Sequence, residues 1–280
     1  MSAEPAKVNM FKIEPKLYLE PTPHIIIDDF ITNEYVLDFL ANNDDLKTYA
    51  SKVNMPDYWR FEVYREEDYE TRAKAKNIGR IFYEDARNCN IENDIFSDKF
   101  KFIVDSFLED LFGNQDFVQM LRDAFNPVFE DFYPTFNEPD FKVCNMTYGA
   151  YNGLDRPLET IGWHLDQGAT LISGFVYLKE DDDDTDDAAL HLSEDTVSSK
   201  RIKYINNRLV VWPNVPTAWH MAETRQPTKN LRRFVVFSCK SQCQQYHNYK
   251  TDRRENPDNG ALYPMKNFRW KEVGVKGKRC

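Results

Sequence analysis

From about residue 139 to residue 240 the sequence is a succession of short β-type runs separated by turn residues, with no helical periodicity between them. Each run is rich in β-branched and aromatic residues and ends near Gly, Pro, Asn or Asp. Many short strands without intervening helices are typical of a β-sandwich or jelly roll, so we predict a mainly β core. The predicted strands are Phe141–Tyr148, Ala169–Leu178, Ala188–Leu192, Arg208–Trp212 and Leu231–Cys239.

The first half of the chain combines one strand with helical patterns. The run Pro23–Phe30 is β-branched and bounded by prolines and aspartates, which predicts a buried strand. Apolar residues at helical spacing predict three helices, with Thr32 as the N-cap of the first and Gly113 closing the last. The predicted helices are Asn33 to about Asn42, Thr71–Cys89 and Phe100–Phe112. Residues 47–70 are aromatic without a clean period, so no structure is assigned to them.

Length and composition favour one domain. The 280 residues are 41% hydrophobic and 14% aromatic, which is enough for a substantial core, and no linker or internal repeat divides them. We predict a single domain over residues 23–245, with helical support at about 31–135 and the β core at about 139–240. Residues 1–22 and 246–280 are expected to be extensions, the second of them basic.

The charge and the cysteines exclude several kinds of protein. The formal net charge is −10, which disfavours nucleic-acid binding because phosphate contacts depend on Lys and Arg. Segment 246–280 carries nine basic and four acidic residues, and we interpret it as a solvated extension rather than a partner-binding arm. No run approaches the ~18 apolar residues of a membrane span. The five cysteines are scattered, so we expect a cytoplasmic protein with reduced thiols and no membrane contact.

Three residues of the β half form a candidate metal site. In a strand, residues i and i+2 point to the same side, so His164 and Asp166 can present an imidazole and a carboxylate to one ion. His220, which closes a second β-type run, is the candidate third ligand. Two histidines and one carboxylate on one side of a metal suit non-haem Fe(II) oxygenases. A His-x-Asp triplet alone arises by chance in about half of chains of this composition, so the surrounding segments matter.

In its order of segments, the sequence resembles the Fe(II)- and 2-oxoglutarate-dependent dioxygenases, specifically their prolyl-4-hydroxylase-like branch. The resemblance covers roughly residues 23–239 and implies a double-stranded β-helix, a jelly roll of cupin-like form, with N-terminal helices packed outside. No single segment is diagnostic, but their order matches. The matching segments are Pro23–Leu40, Tyr148-Gly149, His164-x-Asp166, Tyr177-Leu178, Ala189–Leu192 and Arg208–Pro213 leading to His220.

The resemblance implies a chemistry for the candidate site. His164, Asp166 and His220 would bind Fe(II), which would react with O2 and the cosubstrate 2-oxoglutarate, with ascorbate as a possible reductant. The predicted reaction is oxidation of an unactivated C–H bond, by hydroxylation or by desaturation or cyclisation.

The resemblance also implies a basic residue that holds the far carboxylate of 2-oxoglutarate, for which a planar guanidinium is suited. Arg232 and Arg233 are the candidates, and they point to opposite faces of one strand. We prefer Arg233, because an aromatic residue and then aliphatic residues follow it; Arg225 and Lys229 belong to the preceding loop and are weaker candidates. Tyr148 and Tyr177 match tyrosines beside the cosubstrate, and both also suit an ordinary aromatic core.

One departure from the family is the segment Glu180–Asp187, which contains seven acids interrupted only by Thr185. A run of like charge is usually a solvated loop, which is the interpretation we prefer. The alternative is a lid that attracts a cationic substrate through its field.

The sequence does not identify the substrate or the oligomeric state. We favour a small, amino-acid-derived molecule over a peptidyl proline, because no secretory signal and no peptide-binding domain accompany the predicted catalytic domain. Hydroxylation of a peptidyl proline in a protein substrate is the first alternative. An alternative of a different class is a non-catalytic jelly roll that binds a metal and interacts with a partner.

Overall fold

The computed structural model describes residues 10–45, 58–64, 81–82, 97–132, 142–151, 162–166 and 170–240. These ranges contain three helices and eleven strands. The helices are α1 (Glu34–Asn42), α2 (Asp98–Gly113) and α3 (Gln115–Phe132). The strands are β1 (Lys16–Tyr18), β2 (His24–Asp28), β3 (Tyr58–Tyr64), β4 (Ile81–Phe82), β5 (Lys142–Tyr151), β6 (Thr170–Leu178), β7 (Leu190–Ser193), β8 (Ser199–Ile202), β9 (Arg208–Pro213), β10 (Trp219–Ala222) and β11 (Arg232–Lys240).

The strands form two antiparallel sheets. The large sheet has eight strands in the order β1-β2-β9-β6-β11-β5-β3-β4, and the small sheet has three in the order β10-β7-β8. Strand β6 lies between β9 and β11 and is almost completely buried, as its nearly continuous apolar sequence predicts. The prediction of a mainly β fold with helices ahead of the β core is confirmed.

The two faces of the large sheet have different neighbours. On one face, Phe237 of β11 meets Phe117 of α3 at 5.3 Å between ring centroids, and Phe117 also contacts Phe30 at 5.8 Å. Gly174 of β6 lies under Phe237, and any side chain at Gly174 would overlap that ring. We call this the helix face. Along β6, β9 and β11, every second side chain points away from the helix face. These side chains form the opposite face, which we call the inner face.

The N-terminal residues are part of this packing. Phe11 is 3% exposed, stacks on Phe30 and meets Phe107 of α2 edge-on. Strand β1 pairs with β2, which places Leu17 opposite Ile25. Residues 10–22, which the sequence assigned to an extension, therefore pack with the domain. The basic segment 246–280 lies outside the described residues.

Helix α1 starts one residue later than predicted. Its N-cap is Asn33 rather than Thr32, because the Asn33 side-chain oxygen accepts a hydrogen bond from the amide of Val36 at 3.2 Å. Helix α2 begins after Ser97, whose hydroxyl accepts from the amide of Phe100 at 3.1 Å. No helix among the described residues combines the length and apolarity that crossing a bilayer requires.

The assignment of residues 71–89 to a helix is wrong in the part that the structure describes. Residues 81–82 form β4, which pairs with β3, and β3 itself occupies a stretch left without assignment. Strand β3 pairs with β5 over its seven residues, and such long-range pairing leaves no local period in the sequence. Helix α3 and the short strands β1 and β8 were likewise not predicted as elements.

Candidate metal centre

His164, Asp166 and His220 come together in space. Two backbone hydrogen bonds join the histidines, from His164 N to His220 O and from His220 N to His164 O, both at 3.0 Å. Asp166 Oδ1 lies 3.4 Å from His220 Nε2 and 4.0 Å from His164 Nε2. One ligand atom of each residue lies within 4.8 Å of the other two, so the three side chains could hold one ion.

The backbone determines which nitrogen of each imidazole is turned to the site. His164 Nδ1 is 2.7 Å from the carbonyl oxygen of Gly162, and His220 Nδ1 is 3.4 Å from that of Ala218. A carbonyl oxygen only accepts, so each neutral ring donates its Nδ1 proton there and keeps a lone pair on Nε2. Metal-binding histidines commonly have this arrangement, since the hydrogen bond orients the ring.

Asp166 is held by neighbours of its own. The Ser173 hydroxyl of β6 donates to Asp166 Oδ2, which leaves Oδ1 for the histidines. Asn214 Nδ2 donates to the backbone oxygen of Asp166 at 3.1 Å. Burial acts to raise the pKa of Asp166, but His220 and Ser173 outweigh it and lower the pKa to about 2. The carboxylate is therefore ionised at neutral pH and suited to a cation.

An aromatic wall continues from the triad along the inner face. Phe175 follows Ser173 on this face of β6 and packs on Trp212 of β9, with ring centroids 5.6 Å apart. Trp212 in turn packs on His220 at 4.8 Å. In the other direction Phe175 stacks on Tyr177 at 6.0 Å with an interplanar angle of 11°. The inner face of β6 thus leads from the candidate metal site to Tyr177.

Arg232 and Arg233 lie on opposite faces of the large sheet, as predicted. Phe234 is paired with Tyr177, so Arg232, two residues earlier in β11, shares the inner face with them. The Arg232 guanidinium carbon is 5.6 Å from the Tyr177 ring centroid and 5.5 Å from that of Phe234. Arg233 lies on the helix face, where Nε and Nη2 donate to Glu180 Oε1 at 2.9 and 2.8 Å. The preferred candidate, Arg233, is thus turned away from the face of the triad, and Arg232 is turned towards it.

The two candidate tyrosines differ in what can be said of them. Tyr177 is fully buried, and burial raises its pKa to about 12 against the opposing effect of Arg232 beside it. Among the described residues, no group meets the Tyr177 hydroxyl at hydrogen-bonding geometry, which is costly for a buried polar atom and marks it as able to receive a ligand. Tyr148 is paired with Val235 in the register, and its side chain lies outside the described residues.

The acidic segment Glu180–Asp187 is solvated only in part, because four of its aspartates are exposed while Glu180 and Asp183 are buried. Glu180 is 3% exposed and pairs with Arg233, while Asp183 is 6% exposed and pairs with Arg225 at 2.6 Å. Both arginines are fully buried. We call segment 180–187 and its partners in segment 223–233 the acidic clasp. The solvated interpretation is wrong for Asp183 and Glu180, whose counter-charges lie 42 and 53 residues away along the chain and leave no local pattern.

No protein-family model matches the sequence, and no curated protein matches it by sequence. Solved structures do match. A Shewanella oneidensis protein, provisionally described as an oxygenase, has a TM-score of 0.52 at 9% identity over 85% of this chain and 91% of its own. A prolyl-4-hydroxylase from Pseudomonas putida has a TM-score of 0.44 at 11% identity, over 78% of this chain and 92% of its own. A rice dioxygenase for auxin oxidation has a TM-score of 0.42 at 9% identity, over 80% of each chain.

The chain shares its fold with the Shewanella oneidensis protein. Within this fold, several polar residues near the triad were missed by the sequence reasoning. Glu223 accepts from His191 Nε2 and from Arg201 Nη2, both at 2.8 Å, and Arg201 is the main cause that lowers the pKa of Glu223 to about 2. Trp163 meets the His191 ring edge-on at 6.4 Å. Ser173 left a usable signal, because it is a polar residue on an otherwise apolar strand.

Proposed function

We propose that this protein is an Fe(II)- and 2-oxoglutarate-dependent dioxygenase that oxidises an unactivated C–H bond. The observation that carries the proposal is the convergence of three ligand atoms next to the inner face, which also holds Arg232 and the buried Tyr177 hydroxyl. A cosubstrate with two carboxylates needs a metal at one end and a guanidinium at the other. The inner face offers both in sequence along β6.

The double-stranded β-helix is part of the same proposal. His220 belongs to β10 of the small sheet and Ser173 belongs to β6 of the large sheet, and both contact Asp166. The triad therefore lies where the two antiparallel sheets approach each other. A metal between the two sheets is the arrangement expected of a jelly-roll oxygenase.

The donor set fits Fe(II). Two imidazole nitrogens and one carboxylate oxygen suit a divalent ion of this kind and leave other coordination positions open. With both Nδ1 protons directed to backbone carbonyls, the inward atoms of His164, Asp166 and His220 are all acceptors. In this role iron, with 2-oxoglutarate and O2, would supply the oxidising chemistry, and ascorbate stays an expected reductant. The three residues hold and orient the ion.

Arg232 fits the far carboxylate of 2-oxoglutarate better than Arg233. Arg233 is already bonded to Glu180 on the helix face, whereas Arg232 is 2% exposed and lies on the inner face beside Tyr177. A guanidinium can give a carboxylate two parallel hydrogen bonds, and the Tyr177 hydroxyl can give another. This assignment reverses the preference drawn from the residues that follow each arginine. A role for Tyr148 stays a prediction.

The aromatic wall excludes water from the proposed cosubstrate pocket. Trp212 is 1% exposed and Tyr177 is fully buried, while Phe175 between them is half-buried. An apolar wall lowers the local dielectric constant, so the pairing of Arg232 with a carboxylate gains strength. The protein thereby binds and orients the reactants and excludes water, while the cofactor chemistry does the oxidation.

The substrate stays an expectation, with a small, amino-acid-derived molecule preferred and a peptidyl proline as the alternative. The comparison structures include a prolyl-4-hydroxylase and a dioxygenase for auxin oxidation, so both classes are represented among them. Consumption of 2-oxoglutarate in the presence of free amino acids and of proline-containing peptides distinguishes the two.

An anaerobic titration tests the proposal at its first step. Fe(II) and then 2-oxoglutarate are added to the metal-free protein, and the weak visible charge-transfer band of the chelated cosubstrate is recorded. We expect the band in the wild type and its loss in His220→Ala. We also expect it to weaken in Arg232→Ala much more than in Arg233→Ala at matched folded fraction.

His191→Ala is the control, because His191 is a histidine near the site that is not one of the three ligands. It should keep the band. A well-folded wild type that binds neither metal nor 2-oxoglutarate contradicts the dioxygenase proposal. Metal binding without any band, with His164→Ala losing stability and no other property, supports the non-catalytic metal-binding module instead.

A further inference from the structure

Strand β11 begins with two adjacent arginines whose places could be exchanged by a shift of one residue. Successive side chains of a strand point to opposite faces, so such a shift would bring Arg233 to the inner face and Arg232 to the helix face. The residues that follow the two arginines do not determine the register by their polarity. Phe234 and Val236 lie on the inner face, Val235 and Phe237 lie on the helix face, and all four are apolar. Something other than the hydrophobic pattern must select the observed register.

Glu180 makes a specific set of contacts with the start of β11. Its Oε1 accepts from Arg233 Nε at 2.9 Å, from Arg233 Nη2 at 2.8 Å and from the amide of Leu231 at 3.3 Å. Its Oε2 accepts from Asn230 Nδ2 at 2.8 Å. Glu180 therefore binds one side chain of β11 and the residues just before the strand, on the helix face alone.

Tyr204 holds the same point of the backbone from another side. Its hydroxyl accepts from the amide of Arg233 at 3.0 Å and lies 2.9 Å from the carbonyl oxygen of Leu178, to which it can donate. Tyr204 is 3% exposed, so these hydrogen bonds are shielded from water. Together Glu180 and Tyr204 fix where Arg233 sits, and thereby where Arg232 points.

Burial makes the arrangement selective. A shift of one residue would bring Arg232 to the helix face in place of Arg233, but it would separate Glu180 from the Leu231 amide and from Asn230 Nδ2, and it would push Phe237 away from the space above Gly174. Buried ion pairs contribute little net stability, and their best-attested use is to specify a register. The contact between Gly174 and Phe237 favours the same register of β11, because the Phe237 ring fits only where no side chain is present.

We propose that Glu180 is a positioning residue that determines which of the two adjacent arginines faces the cosubstrate pocket. Glu180 holds Arg233 on the helix face, so Arg232 takes the inner face, next to Tyr177. This inference rests on the proposed function, because it assigns the cosubstrate to Arg232. Glu180 does not touch the cosubstrate and acts only through the backbone at residues 230–233.

The acidic clasp supplies a matched control. Asp183 belongs to the same segment, is buried, and pairs with a fully buried arginine, Arg225, at 2.6 Å. Its carboxylate also accepts from the amide and hydroxyl of Thr185, and its amide donates to the carbonyl oxygen of Glu180 at 3.0 Å; none of these described hydrogen bonds involves β11. Asp183→Asn therefore breaks an equivalent buried pair without releasing Arg233.

The experiment compares Glu180→Gln with Asp183→Asn in the full chain loaded anaerobically with Mn(II). The affinity for 2-oxoglutarate is measured by calorimetry, the affinity for Mn(II) by electron paramagnetic resonance, and the midpoint of thermal unfolding by circular dichroism. We expect Glu180→Gln to weaken 2-oxoglutarate binding about tenfold, the size of a lost charge-assisted contact, while Mn(II) binding is unchanged. Asp183→Asn should lower the thermal midpoint comparably and leave 2-oxoglutarate binding at the wild-type value. Equal weakening in both variants, or none in Glu180→Gln, overturns the proposal.

A second variant covers the case in which Glu180→Gln does not fold. Glu180→Met/Arg233→Met removes both charges of the pair, so no buried charge is left alone, and it should fold yet bind 2-oxoglutarate more weakly than Asp183→Met/Arg225→Met. Equal binding in the two double variants overturns the proposal.

Hydrogen exchange separates this proposal from the proposed function. If the wild type binds no 2-oxoglutarate, the proposed function fails, but the positioning role is still tested by the amides of residues 231–233. These amides should exchange faster in Glu180→Gln and not in Asp183→Asn. Unchanged protection in both variants overturns the role of Glu180 independently of any ligand.

Discussion

Two carboxylates at opposite ends of β6 have basic residues around them, yet they form different kinds of site. Asp166 faces the Nε2 atoms of two imidazoles, which in their neutral form are acceptors like itself. Glu180 faces guanidinium, amide and side-chain donors of segment 230–233. Asp166 therefore needs a bound cation to balance its charge, whereas the charge of Glu180 is balanced within the protein by Arg233. The hydrogen-bonding character of the basic partner, more than its charge, separates a binding site from a structural pair.

The largest loss of stability should come from breaking the ion pair between Glu180 and Arg233. Arg233→Met leaves the Glu180 carboxylate buried without its cation, and we expect a loss of about 3–5 kcal/mol in the free energy of unfolding. Urea denaturation at pH 7 measures this. Glu180→Met/Arg233→Met should recover most of the loss, because both charges are then gone. An unchanged free energy of unfolding in Arg233→Met would show that Glu180 does not depend on Arg233 to balance its charge.

A third buried basic residue tests what happens when neither kind of partner is present. His24 is fully buried, Nδ1 donates to the Thr22 carbonyl oxygen at 2.8 Å, and Nε2 has no hydrogen-bond partner within the described part of the chain. Burial, together with nearby Lys200, lowers the pKa of His24 from 6.5 to about 4. The unfolded chain therefore takes up a proton below pH 6.5 that the folded chain refuses until about pH 4.

Stability attributable to His24 should be complete above pH 6.5 and decline as the pH falls to about 4, by about 3 kcal/mol in all. The measurement is the free energy of unfolding of the wild type and of His24→Leu at pH 7 and pH 4.5. Between these two pH values the free energy of unfolding of the wild type should fall further than that of His24→Leu. Parallel curves would mean that His24 is protonated in the folded protein.

At the other end of β6, Asp166→Ala should weaken metal binding more than it destabilises the metal-free protein. Removing the only carboxylate of the triad should weaken Mn(II) binding by roughly a hundredfold, or about 2.7 kcal/mol. The thermal midpoint of the metal-free protein should fall less than in Arg233→Met, because Asp166 keeps a donor in Ser173 but otherwise faces the acceptor nitrogens of the two neutral imidazoles. Electron paramagnetic resonance and circular dichroism measure the two quantities. A metal-free variant that unfolds would place Asp166 with Glu180 as a structural group.

The smallest effect is expected at Ser173, which orients Asp166 without being a ligand. Ser173→Ala should weaken Mn(II) binding by about tenfold, and Ser173→Thr should restore it because the hydroxyl is retained. Ser238→Ala is the matched control, since Ser238 is paired with Ser173 on the neighbouring strand β11. If both alanine variants bind Mn(II) equally, the hydrogen bond has no orienting role.

The sequence predicted those features that depend on local spacing. The i, i+2 spacing of His164 and Asp166, with His220 from a second β-type run, predicted a set of three residues whose side chains do lie together in the structure, although His164 forms only an isolated bridge there. The same alternation showed that Arg232 and Arg233 lie on opposite faces. It could not tell which face each takes, because that depends on the pairing of Phe234 with Tyr177 across two strands.

What the sequence did not predict depends on partners far along the chain. A run of seven acids interrupted only by Thr185 indicates a solvated loop only if nothing else in the fold carries the opposite charge. Arg225 and Arg233 do so from 42 and 53 residues away. Strand β3 was missed for the same reason, since its partner β5 is more than 80 residues distant. The roles of the site residues stay proposals until ligands are measured.

The pair of backbone hydrogen bonds between His164 and His220 would have a consequence for how the proposed site binds an ion. Without them, metal binding would have to close a loop of 56 residues and bear the entropy of doing so. With the two ligands already joined, that entropy is spent in folding, and the ion meets a site of fixed size. Such a site would select among first-row divalent metals by its geometry and ligand type as well as by their availability, because intrinsic affinity follows the same order in most sites.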